Sequence, residues 1–261
     1  RVAATTMRVE GTKLMPWERV DTESRPRSIS IGLHGGQKSG KSHLMLSASE
    51  LGPLYVYNFD LGLDEVFPKF PGKEIYQAKY SPELLEPHIP WQELRKFLDK
   101  QLLPDMHDAL AHGRKAGPGQ VTVAMDMVTQ FWPLVQDAFL GEIRERREKV
   151  AKAGEEVRIF PYDYKDANKF MNALLRMPSE AEVNAIWIAE SKAVWDSSGP
   201  TGKYEPSWFG ALPYRVKLVL RAWKRQKEGR TEQVVTIEDC RFDSDYEGMT
   251  WVRPEILRYA D

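Results

Sequence analysis

Residues 35–42 read GGQKSGKS and match G-x-x-x-x-G-K-[ST] at every fixed position: Gly35, Gly40, Lys41 and Ser42. Those residue types suit the binding of a polyphosphate. Glycines let a tight loop turn its backbone N–H groups inward around an oxyanion. The lysine neutralises β- and γ-phosphate oxygens, and the hydroxyl after it can hold Mg2+. The competing reading is a solvent-exposed Gly/Lys turn. The flanks favour the phosphate loop. RSISIGLHG, over 27–35, reads as a strand, and KSHLMLSASEL, over 41–51, has helix formers stopped by Gly52 and Pro53. A strand before and a helix after, its positive end aimed at the phosphates, is the context such a loop requires. The expected nucleotide contacts are Gly35, Gly36, Gln37, Lys38, Ser39, Gly40, Lys41, Ser42 and His43. Lys38 is an extra cation that is equally at home in solvent.

A phosphate loop needs acidic partners. VTVAMD, over 121–126, ends in Asp126 after a run of apolar positions. A carboxylate at that strand end can reach the Mg2+ shell, so Ser42 and Asp126 are the expected metal ligands. Its competing role is to cap the next turn. LYVYNFD, over 54–60, ends in Asp60, which can orient an attacking water as a general base; Asp64 reads as a helix cap. Glu190 closes NAIWIAE, where a side chain can sense the γ-phosphate, although a plain strand-end glutamate fits as well. His34 precedes the loop with no evident partner. The 5 histidines show no metal-ligand spacing, and the single cysteine, Cys240, can build neither a zinc site nor an internal disulfide.

The elements that must hold these residues follow from pattern and punctuation. Strands are expected at 27–35, 54–60, 121–126 and 184–190, with one or two helices over 82–116 and further helices at 131–152 and 161–177. Residues 195–208, WDSSGPTGKYEPSW, read as a Gly/Pro/Ser loop. Residues 214–224 and 231–242 read as two strands around the turn KRQKEGR. Strands alternating with helices and a late hairpin predict an α/β fold, with a mainly parallel sheet and an antiparallel edge. Residues 1–26 have no clear period and read as an arm with one apolar anchor, Met15-Pro16-Trp17; the remainder, 27–261, reads as one domain.

Composition bounds the partners. The 261 residues are 42% hydrophobic and 29% charged, which suits a folded domain with a core. The formal net charge of −1 gives the molecule no bulk attraction to nucleic acid or membrane, so such binding must come from local patches. No apolar run is long enough to span a bilayer, and no signal peptide is visible. One cysteine fits a reducing compartment, so a cytoplasmic setting is expected. Two patches suit single-stranded DNA, which needs cations along the phosphates and aromatic faces for stacking. One holds Lys192, Trp195, Lys203, Tyr204 and Trp208; the other is the turn with Arg221, Lys224, Arg225, Lys227 and Arg230. Each also reads as an ordinary exposed connection. The charged run GEIRERREKVAK is different: Glu142 and Arg146, Glu145 and Lys149, and Glu148 and Lys152 are spaced i,i+4 with glutamate first, which describes a solvated helix.

Taken in order, these motifs resemble the RecA-like recombinase superfamily, and within it short phage-type ATPases described as single-strand annealing or recombination proteins. The resemblance runs over about residues 27–255. GGQKSGKS is similar to the family's Walker A, VTVAMDMVTQF to its Walker B strand, and YNFDLGLD to the segment that carries a catalytic glutamate. RIFPYDYKDANKFMNALL is similar to the helix leading to the next core strand. IWIAESKAVW with SSGPTGKY is similar to the sensor strand and the mobile DNA-binding loop. TIEDCRF is similar to a strand that usually reads lysine-x-arginine. The chain departs from the pattern at three places. Asp60 stands where many relatives have glutamate, Asp239 where the lysine would be, and Glu190 where RecA has an amide; these bear on turnover more than on nucleotide binding. The resemblance implies a RecA-like core with helices on both faces of the sheet. It implies ATP and Mg2+ as cofactors, Lys41, Asp60, Asp126, Glu190 and a neighbour's Arg241 as catalytic residues, single-stranded DNA as partner, and self-association into a ring or filament. A motor or loader ATPase on the same core, and a nucleotide-gated adaptor with little turnover, remain alternatives.

Overall fold

The computed structural model describes residues 28–59, 62–80, 82–86, 89–151 and 157–252. The arm over 1–26 with its Met15-Pro16-Trp17 anchor, Asp60, and Lys152, the partner expected for Glu148, lie outside the described residues.

Strand β1 (Ser30–Gly35) shows how the sheet is built. Its alternation sends Ile31 and Leu33 into one core cluster, while Gly32 lies against Trp208 and Val216 on the other face. The remaining strands are β2 (Leu54–Asn58), β3 (Ile75–Lys79), β4 (Thr122–Asp126), β5 (Asn184–Asp196), β6 (Gly199–Ser207), β7 (Leu218–Lys227), β8 (Arg230–Cys240) and β9 (Thr250–Val252). They form one 9-stranded sheet in the order β3-β2-β4-β5-β1-β7-β8-β9, with β6 paired to β5. Every pairing from β3 through to β7 is parallel; β7–β8, β8–β9 and β5–β6 are antiparallel. The α/β class, the mainly parallel sheet and the antiparallel C-terminal edge are therefore as the sequence predicts.

Helices cover both faces. The short helix α1 (Lys41–Ser47) buries Leu44, Met45 and Leu46 against Ile31, Leu33, Ile186 and Ile188. The other face carries α2 (Trp91–Phe97), α3 (Leu103–Ala116), α4 (Val128–Glu148) and α5 (Lys165–Glu180). Helix α5 buries Ala167, Met171, Leu174, Leu175 and Pro178, the spacing of a single apolar stripe. A π-helical turn, Leu98–Leu102, links α2 to α3 and keeps Leu98 and Leu102 fully buried. Trp187 and Phe131, each no more than 2% exposed, anchor this side. Each large side chain buried in this way contributes about 2–3 kcal/mol relative to exposure. Among the described residues no helix is long and apolar enough to cross a membrane.

Three expectations change. Helix α4 starts at Val128 and ends at Glu148 rather than spanning 131–152, while the Arg146–Glu142 and Lys149–Glu145 pairs form as predicted, each at 2.7 Å. Residues 195–208 are not a loop: β5 runs on past the core to Asp196 and turns back as β6. Asp196 accepts bonds from the Ser198 N–H and hydroxyl at 2.8 and 2.6 Å, which closes the turn. Most of this extension is exposed on both faces, so no apolar alternation marks it as strand. The edge strand β3 was not anticipated for a similar reason, since its short segment, IYQAK, has little apolar alternation.

Two contacts make the packing testable. A Cβ added at Gly141 would lie 2.2 Å from Trp91 Cβ, so α2 and α4 approach only because that position is bare. Gly141→Ala is expected to destabilise the protein by about 1–3 kcal/mol, read as a lower urea unfolding midpoint. On α4, Arg147 forks onto Asp163 at 2.7 and 3.0 Å, and Asp163 also accepts the Phe160 N–H at 2.7 Å. The Arg147 guanidinium, followed by that backbone bond, holds the Asp163 carboxyl below its ordinary value. A lowered folded value means stability that is present above the unfolded carboxylate range and lost as pH falls through the folded value. Asp163→Asn should therefore lower stability by a constant amount in the neutral region, with the difference from wild type shrinking as pH falls through the folded value, so that the acid limb of a urea-unfolding stability-versus-pH curve flattens.

Candidate nucleotide-binding site

The loop over 36–40 joins the end of β1 to the start of α1. Its shape is imposed by its neighbours. A Cβ at Gly35 would sit 2.2 Å from the Ala222 carbonyl oxygen and 2.6 Å from Ser39 Oγ, so only glycine fits between the loop and β7. Lys38 and Gly40 have φ of 55° and 96°, so the chain turns through the left-handed region twice within the loop. Lys41 is buried, and its ammonium donates to the carbonyls of Gly35 and Gly36, both at 2.9 Å. The cation thus lies folded along the loop whose anion it would meet.

The register of the parallel strands supplies the acidic side. Gly35 pairs with Glu190 on β5, and β4 lies beyond β5. Asp126 ends β4, is 0% exposed, and accepts a hydrogen bond from Ser42 Oγ at 3.0 Å. The Phe59 N–H donates to the Asp126 carbonyl, which ties the end of β2 to the same place. A pocket of about 760 Å3 opens beside the loop, walled by Lys41, Ser42, Glu65, Met127, Glu190 and Gln233. Its size is that of a small-molecule site. The donor set suits Mg2+, a hard cation that takes one or two protein oxygens and completes its shell with water and phosphate. Among the described residues no cluster of three or more His, Cys, Asp or Glu side chains is placed to hold a metal unaided. Ser42 and Asp126 therefore fit a metal brought in with a phosphate. His43 lines the pocket and leans on Phe70, with ring centroids 5.0 Å apart; Gln37, Lys38, Ser39 and Gly40 line it as well.

Other expected residues are dispersed. Arg241 lies just past β8, its backbone N–H on the Lys217 carbonyl and its guanidinium on the Pro213 carbonyl. Ala222, level with Gly35, pairs with Val235, so Arg241 is roughly 20 Å further along β8, at the opposite edge of the sheet. It stands away from this chain's own phosphate loop. On the β5–β6 hairpin Trp195 and Tyr204 are 70% and 54% exposed and Lys203 is exposed, whereas Lys192 pairs with Glu205 at 3.1 Å. Trp208 does not belong to that surface, because its ring packs over Gly32 and meets His34 edge-on. In the β7–β8 hairpin Arg225 pairs with Glu232 at 2.7 Å and Arg221 with Glu238 at 3.4 Å, while Lys224, Lys227 and Arg230 are exposed.

No family model and no curated protein matches the chain. Among solved structures it is similar to a KaiC-like protein from the hyperthermophilic archaeon Pyrococcus horikoshii OT3, with a TM-score of 0.47 and 10% identity over 86% of this chain and 84% of that one. It is also similar to the RadB recombinase, with a TM-score of 0.47 and 16% identity over 87% of this chain and 86% of that one. At these values neither resemblance bears on the chemistry, which rests on the loop and its neighbours.

His34 has partners after all. It is fully buried, with Nδ1 2.9 Å from Ser191 Oγ and Nε2 2.7 Å from Glu238 Oε2. The strand that feeds the loop is thereby bonded to the base of the β5–β6 hairpin and to β8. Both partners are distant in sequence, so nothing near His34 reveals them. Thr129 is a second such tie: its hydroxyl donates to the Ser207 carbonyl at 2.6 Å and accepts the Glu190 N–H at 2.9 Å. His34→Leu is expected to cost about 1–3 kcal/mol, because it leaves the Ser191 hydroxyl and the Glu238 carboxylate short of a partner. Thermal unfolding with Glu238→Gln as a companion variant measures it, and the losses should be less than additive.

Proposed function

We propose that this chain is a Mg2+-dependent RecA-like ATPase of the phage type, acting on single-stranded DNA in recombination or annealing in the cytoplasm. The observation that carries the ATPase reading is the 3.0 Å bond between the Ser42 hydroxyl and the buried Asp126 carboxylate, beside a glycine-bounded loop with a buried lysine. Mg2+ bound with the triphosphate would supply charge neutralisation across the β- and γ-phosphates. Ser42 and Asp126 are the residues to hold it.

Lys41 would exchange its bonds to the Gly35 and Gly36 carbonyls for bonds to phosphate oxygens. Its charge would act on the charge that develops at the γ-phosphoryl group. Asp60 follows Phe59 in the chain and is the proposed base for the attacking water. Glu190 faces the same pocket and is the proposed γ-phosphate sensor. Arg241 would enter from a neighbour in a ring or filament. The exposed rings of Trp195 and Tyr204, with Lys203 between strand turns, are the proposed stacking surface for single strands, joined by the exposed Lys227.

The reading is tested by phosphate release with and without a single-stranded oligonucleotide, at two salt concentrations. Stimulation that fades with salt supports it. Lys41→Ala should lower release by about 100-fold with an unchanged circular dichroism spectrum. Trp195→Ala should weaken the DNA effect by about 1–3 kcal/mol and leave basal release alone. Turnover near zero in the wild type with tight ATP binding would point instead to a nucleotide-gated adaptor.

A further inference from the structure

We propose that Gln233 recognises the nucleoside end of the nucleotide, a role that rests on the nucleotide reading above. Three observations lead to it. The first is register. Gly35 pairs with Ala222 and Ala222 with Val235, so Val235 stands level with the end of β1. Side chains two apart on a strand share a face. Val235 and Ile237 both enter the core cluster beneath α1, so Gln233 projects on the α1 face one step beyond that core, at the height of the loop.

The second is contact. A Cβ added at Gly40 would lie 3.0 Å from both Cδ and Oε1 of Gln233, so the carboxamide rests against the last turn of the loop. Gln233 is exposed and lines the same pocket as Lys41, Ser42 and Glu190.

The third is polarity. In the sheet, β1 lies between β5 and β7. The β5 side leads to β4 and Asp126, where the metal-bound phosphates belong; the β7 side leads to β8 and Gln233. A triphosphate whose terminal groups lie toward Asp126 must run its other end toward Gln233. A carboxamide presents one donor and one acceptor together, which matches the edge of an adenine or the hydroxyls of a ribose better than a phosphate, which only accepts. Lys224, paired with Gln233 across the hairpin, shares that face, so its charge adjoins the nucleotide rather than the outer face where Arg225 meets Glu232.

Calorimetric titration of wild type and Gln233→Ala with Mg2+-ATP, Mg2+-GTP and Mg2+-tripolyphosphate separates the possibilities. The variant is expected to bind ATP about tenfold more weakly, the loss of one well-formed hydrogen bond, and to bind tripolyphosphate within about twofold of wild type. Its preference between ATP and GTP should shrink if the contact is to the base edge and stay as it was if the contact is to the ribose. Equal losses for ATP and tripolyphosphate would mean that Gln233 acts on the phosphates or the loop, and would overturn the proposal; so would no loss for any ligand. A wild type that binds none of the three removes the nucleotide reading itself, and this inference with it.

Discussion

Ser42 and Asp126 are 84 positions apart, and the 3.0 Å bond between them is the constraint around which the site is organised. It exists because three parallel strands end together. β1 delivers the loop, β4 delivers the carboxylate, and β5 lies between them to set their separation. Parallel strands with this register place their C-terminal ends on one edge, and polar residues gather there while apolar ones fill the strands behind. The buried carboxylate is met there by the Ser42 hydroxyl, as a charge taken out of water requires.

The same edge is braced from the side. Gly35 lets β7 come within contact of the loop, and His34 joins β1 to β5 and β8 through Ser191 and Glu238. Thr129 joins α4 to both strands of the β5–β6 hairpin at the level of Glu190. Glu190 therefore has a short bonded path, through Thr129, to the hairpin that carries Trp195 and Tyr204. That path consists of side chains whose hydrogen bonds are already made, so any movement must exchange one set for another.

Charge is distributed with the same economy. The basic residues that looked like one cluster in the β7–β8 turn divide between faces. Arg221 and Arg225 are matched by Glu238 and Glu232, and Lys224 stands on the other face, opposite Gln233 across the hairpin. Lys192 is likewise matched by Glu205. With a net charge of −1 the molecule has no general affinity for polyanions, so binding to one must come from local patches.

Local pattern determined much of this. The glycine-bounded loop, its flanking strand and helix, the acidic strand end at Asp126, and the α/β class all follow from residue type and spacing over a few positions, because backbone torsion, apolar alternation and helix punctuation are local effects. What only the tertiary structure decided are relations between strands. The antiparallel run of β8 carried Arg241 to the far edge. Register set Gln233 against Gly40 and gave His34 its two partners. Packing took Trp208 out of the exposed surface and into contact with Gly32. Exposed strands such as β6 lack the buried face that makes alternation visible, and a side chain's neighbour across a sheet is fixed by pairings hundreds of atoms away along the chain, which no short window of sequence contains.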